Sequence, residues 1–82
     1  MYLHLGWSAV APFDQVIGVF DLDNVSSSSR TREFLARAEE RGELKTLGRR
    51  IPVSLVVCDK ACYLSPVSSA ALARRLAEER WE

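Results

Sequence analysis

The run Ile51-Pro52-Val53-Ser54-Leu55-Val56-Val57-Cys58 constrains the fold more than any other stretch. Its β-branched residues fit a pleated, packed surface. In an extended chain, Ile51, Val53, Leu55 and Val57 share one side, and Val56 and Cys58 take the other. Pro52 belongs at the start of such a strand, where a missing N–H is tolerated. Asp59-Lys60 then makes a tight turn, and Ala61-Cys62-Tyr63-Leu64 returns as the hairpin partner. Two adjacent arginines, Arg49 and Arg50, follow Gly48 where a short loop meets this strand.

Other segments supply partners for the hairpin. Residues 2–5 alternate weakly as a first strand broken by Gly6, and residues 7–11 form a second, stopped by Pro12. Pro12-Phe13-Asp14 reads as a turn. Residues 15–22 are nearly all apolar and read as a strand buried on both faces, with Gly18 marking a bulge or a close approach. Residues 23–29 form a loop ending in the four-serine run Ser26 to Ser29, and Ser28 or Ser29 caps a helix over 30–41. Phe34, Leu35 and Ala38 make its apolar face. Glu33 and Arg37 stand four apart in the favourable order, and Gly42 takes the position after the helix. Residues 43–47 form a short strand. Residues 65–68 lead into a last helix, capped by Ser68 and running to about Arg80, with Leu72, Ala73, Leu76 and Ala77 as its apolar stripe. The order β-β-β-α-β-β-β-α, with hairpin-length connections, predicts an α+β domain over 1–82: a small, mostly antiparallel β-sheet with two α-helices.

At 82 residues the chain supports one core. A domain this small buries only about 60% of its unfolded surface, which favours self-association. Eleven bases and eleven acids cancel, which argues against a globally basic nucleic-acid protein. The charge is uneven, however. Residues 12–23 carry three aspartates and no base, whereas residues 30–50 carry seven bases against four acids, net +3. Nine of the eleven bases are arginine, the side chain whose planar fork suits phosphate. No secretory leader is evident, and no run approaches about 18 apolar residues, so no membrane span is expected. These features predict a cytoplasmic protein with Cys58 and Cys62 as reduced thiols.

Few residues suggest catalysis. His4 is the only histidine and cannot build a multi-histidine metal site. Cys58 and Cys62 lack the second pair of ligands that a zinc site needs, and read as small buried apolar residues. Asp21 and Asp23 lack a third acid and read as a strand-to-loop turn. The serine run lacks a glycine-rich phosphate cradle. A helix start followed by Arg30 and Arg32 is nevertheless a candidate phosphate seat. Arg74 and Arg75 pair by spacing with Glu78 and Glu79 on a solvated helix face. Trp81 is either a lid on the core or a subunit contact. No enzyme, metal or cofactor is expected. Arg49 and Arg50 lack obvious local partners. They either contact an anion or nucleic acid or simply decorate the surface.

The chain resembles the RemA/RemB family of small bacterial regulators of extracellular-matrix (biofilm) genes. The residues that carry the likeness are Met1-Tyr2-Leu3-His4-Leu5-Gly6, Val16-Ile17-Gly18-Val19-Phe20-Asp21, Glu33-Phe34-Leu35 and Gly48-Arg49-Arg50. To these are added Tyr63-Leu64-Ser65-Pro66-Val67-Ser68-Ser69, Leu72 and Arg74-Arg75. The first and last segments are closest to the RemB branch. The resemblance implies a DNA-binding transcriptional regulator without catalysis, assembled as a ring-like homo-oligomer that sets a basic rim against double-stranded DNA. Arg49 and Arg50 match positions that the RemA branch uses for DNA. Arg30 and Arg32 are added as supporting contacts by inference. Gln15 stands where the RemA branch has a further arginine, which removes one phosphate contact per subunit. The alternative is an oligomeric structural or protein-interaction module without DNA binding.

Overall fold

The computed structural model describes residues 2–7, 9–25 and 28–80. Trp81, and Ser26 and Ser27 of the four-serine run, lie outside the described residues. The elements follow the chain as β1 (Tyr2–Gly6), β2 (Ala9–Pro12), β3 (Val16–Asp21), α1 (Leu22–Val25), α2 (Ser29–Glu40), β4 (Leu44–Thr46), β5 (Ser54–Cys58), β6 (Cys62–Ser65) and α3 (Ser69–Arg80), with a 3-10 turn at Phe13–Gln15.

The hairpin read from the sequence is the centre of a four-stranded sheet ordered β3-β5-β6-β4. β5 pairs antiparallel with both β3 and β6, while β4 lies parallel to β6. The fold is α+β and mostly antiparallel, as expected. It differs from the expectation in several places, one being that β3 is not buried on both faces, since Ile17 and Phe20 are exposed. β1 and β2 form a separate two-stranded sheet. A single helical turn, α1, occupies part of the expected loop over 23–29. Its start is capped by Asp21, whose Oδ1 accepts the Asp23 N–H at 2.9 Å. Finally, β5 begins at Ser54 rather than Ile51. Val53 is still bonded on both sides, its N–H to Ser65 O at 2.9 Å and its carbonyl to Leu22 N at 3.1 Å. Pro52, just before it, has no N–H with which to extend the ladder.

One face of the large sheet carries Val16, Val19, Val56, Cys58 and Tyr63 against Leu3, Leu5 and Ala11 of the small sheet and Leu72 and Leu76 of α3. Leu3, Leu5, Val56 and Leu72 are fully buried there. The α3 stripe is narrower than expected, since Ala73 and Ala77 are exposed. Two serines are buried in the same core. Ser54 Oγ donates to Val67 O at 2.7 Å. Ser65 Oγ donates to Leu5 O and accepts the Val67 N–H at 3.0 Å. Ser68 caps α3 as predicted, its Oγ accepting the Ala71 N–H at 3.1 Å.

The opposite face of the large sheet is only partly covered, by α2. Ala38 is buried against it, but Phe34 is not. α2 ends as expected at Gly42, where the Gly42 N–H bonds to Glu39 O and the Glu43 N–H to Ala38 O. The bulge foreseen at Gly18 is present between Val16 and Gly18.

Candidate functional site

The Gly48-Arg49-Arg50 corner lies in the connection from β4 to β5, and that connection straddles the end of β6. On one side the Leu47 N–H bonds to Leu64 O at 2.9 Å. On the other the Val53 N–H bonds to Ser65 O at 2.9 Å. Only residues 48–52 are left to bridge the gap. They are held out over the end of the sheet rather than inside a strand. Adjacent residues therefore need not alternate between faces, and both arginine side chains are exposed. Neither makes a hydrogen bond or ion pair with the described residues.

Gly48 sets the bend with φ +72°. A Cβ at this position would sit 3.1 Å from Cε3 and 3.2 Å from Cδ2 of Trp7. The indole of Trp7 thus rests on the Gly48 backbone. Trp7 itself has φ +58°, rare for a bulky residue, and is 67% exposed. The expectation placed Trp7 inside a strand. It instead turns the chain between β1 and β2. The glycine before the arginine pair was the only sequence sign of a crowded backbone there, and it does not name its neighbour.

Arg30 and Arg32 are exposed on the first turn of α2, a different element from the corner. Arg30 lines a groove of about 610 Å³ between α2 and the uncovered sheet face, shared with Ile17, Phe34, Val57 and Cys62. A neighbouring part of this groove is lined by Phe20 and Leu55 with Arg30. The exposed apolar side chains include Ile17 at 69% and Phe34 at 45%.

Gln15 lies at the other end of the large sheet from the arginine corner. Its carbonyl accepts the Asp59 N–H at 3.0 Å, beside the Val16–Cys58 pair, whereas the corner adjoins the Asp21–Ser54 end. The departure at Gln15 therefore leaves the corner intact. Asp21 and Asp23 share the corner's end of the sheet.

The remaining candidates have structural explanations. His4 is exposed, and its carbonyl accepts Arg75 Nη1 at 3.0 Å. Arg75 thus ties α3 to β1 through that bond. The Arg74–Glu78 ion pair does not form, and the side chain of Glu79 lies outside the described set. The Glu33–Arg37 pair is also absent, while Arg41 and Glu43 approach to 3.9 Å. Cys58 and Cys62 are buried free thiols. Burial, the larger cause in each, pushes both thiols above the ordinary cysteine range. The neighbouring Cys62 and Asp59 add to this at Cys58, and Glu43 adds to it at Cys62. No group of three histidine, cysteine or acidic side chains fit to hold a metal occurs among the described residues. None of the described helices is long and apolar enough to cross a membrane.

No protein-family model matches the chain. It is 33% identical over 75 residues to extracellular matrix regulatory protein B of Bacillus subtilis (strain 168), an alignment covering 92% of this chain and 89% of that protein.

Proposed function

The chain belongs to the RemA/RemB family of extracellular-matrix regulators, and from that premise we propose that it regulates matrix genes by binding DNA as a homo-oligomer. Arg49 and Arg50 hold phosphates, and the repeated corners of a ring line up as a basic rim. Arg30 and Arg32 add positive charge from α2. The protein acts by binding, without catalysis, in the cytoplasm.

The observation that carries this reading is the state of the corner: two exposed guanidinium groups, without partners among the described residues, on a loop pinned at both ends. With the loop backbone already fixed, meeting phosphate costs mainly side-chain rotamer freedom, offset by charge-assisted, bidentate hydrogen bonds. The uncovered sheet face supports self-association, since Ile17, Phe20, Phe34 and Val53 stay exposed in one copy. Oligomerisation also answers the zero net charge. Two arginines per subunit are weak alone, but copies on one rim act together.

The test is a light-scattering mass with and without duplex DNA at two salt concentrations. The expected result is an oligomer whose DNA binding falls steeply with salt. An Arg49→Ala/Arg50→Ala variant should keep its mass and lose the DNA. Unchanged DNA binding by that variant would remove the role given to the corner. The second reading, an oligomeric module without DNA contact, is favoured by Asp21 and Asp23 at the same end of the sheet as the arginines. It predicts the same assembly and no DNA binding even at low salt.

A further inference from the structure

We propose that Trp7 is part of the DNA-binding surface: its indole, seated on Gly48, lies against the sugars and base edges next to the phosphates that Arg49 and Arg50 hold. This inference rests on the DNA-binding reading of the corner and adds a second kind of contact to it.

Three features of Trp7 point the same way. Its backbone adopts φ +58°, a conformation that bulky side chains avoid and that tends to mark functional positions. Its ring is 67% exposed, so the strain is not offset by burial in the core. One part of the ring is fixed, because Cε3 and Cδ2 lie within 3.2 Å of where a Gly48 side chain would begin. The residue is otherwise exposed, and the two residues that follow Gly48 in the loop are both arginines.

An aromatic plane held next to paired guanidinium groups matches the composition of a nucleic-acid backbone. Phosphate accepts the forks, while the deoxyribose rings beside it offer weakly polar surface that an indole can cover. Such contact tolerates any sequence, because every nucleotide presents a sugar. A protein partner would need acids for both guanidinium groups as well as an apolar patch. Gly48 serves both contacts: its left-handed bend aims the arginines, and its lack of a side chain admits the indole.

The experiment uses the full-length chain and a fluorescein-labelled duplex of mixed sequence. Affinity is read by anisotropy across a salt series for the parent, Trp7→Ala, Trp7→Phe and Arg49→Ala. Trp7→Ala should weaken binding roughly tenfold with the salt slope unchanged, since no counterion is involved. Trp7→Phe should recover most of the affinity. Arg49→Ala should instead reduce the slope by about one. In a Trp81→Phe background, which leaves Trp7 as the sole tryptophan, its emission should change on adding the duplex while the light-scattering mass of the protein assembly stays constant. Parent-like binding by Trp7→Ala, or emission that ignores the duplex, would overturn the inference while leaving the role of the arginines standing. A fall in oligomer mass on Trp7→Ala would also overturn it, by making the indole a subunit contact. Failure of the parent to bind DNA at low salt would sink the inference together with the reading on which it rests.

Discussion

Ser65 shows how one hydroxyl can join two sheets. It donates to Leu5 O in β1 and accepts from Val67 N just beyond β6, at a site with no exposure. Replacing it with alanine leaves a buried carbonyl and a buried amide unmet. Ser65→Ala should cost about 1–3 kcal/mol, read as a lower urea midpoint with an unchanged slope. The two thiols make a different claim. Burial raises both of them, so in rising pH the unfolded chain loses these protons first. Their contribution to stability is full below the unfolded cysteine value of about 8.5 and is lost as pH climbs through the higher folded values. Urea midpoints should therefore decline above about pH 8.5, and a Cys58→Ala/Cys62→Ala variant should lose that part of the decline.

Two glycines with similar backbone angles separate local from distant constraint at the level of elements. Gly42 closes α2 with φ +71° and has open space around its missing side chain. Gly42→Ala should therefore carry only a conformational cost, about 1 kcal/mol, visible in thermal denaturation. Gly48→Ala should cost more, because the new methyl also meets Trp7 at 3.1 Å. The first glycine was readable as a helix stop from its place after an amphipathic run. The second was readable only as a loop residue, since Trp7 lies far away in sequence. The same distinction governs the rest of the fold. The β5–β6 hairpin, the Ser68 cap and the Gly18 bulge were legible because turns, caps and bulges are written in neighbouring residues. The separate β1–β2 sheet and the parallel β4–β6 pair were not, because they depend on which distant strands meet. Charge spacing misled at Glu33–Arg37 and Arg74–Glu78, since exposed Arg–Glu pairs gain little in water; spacing gave no sign that Arg75 reaches the His4 carbonyl. Arg49 and Arg50 were visible as a pair, but their lack of partners among the described residues became clear only once the loop around them was placed.

The whole molecule has one packed face of its main sheet and one that stays half open. Ile17 of β3 and Phe34 of α2 line the groove on the open side. If this side joins neighbouring copies, an Ile17→Glu/Phe34→Glu variant should fall to monomer mass by light scattering while keeping its circular dichroism. On the DNA-binding reading, its DNA affinity should then drop by roughly a hundredfold or more, although no arginine has been touched, because linked sites gain by avidity. An unchanged mass would place the subunit contact on another face.

The loop that straddles β6 has a consequence for protein engineering. Its two anchors, Leu47 to Leu64 and Val53 to Ser65, belong to the sheet, and the span between them is all that aims the arginines. Even doubling the length of such a connection costs only about 0.6 kcal/mol in closure entropy. Glycines inserted beside Gly48 would thus leave the scaffold standing while slackening the guanidinium pair. On the DNA-binding reading, loop length becomes a dial that tunes recognition apart from foldedness, and the natural five-residue span sits at its tight end.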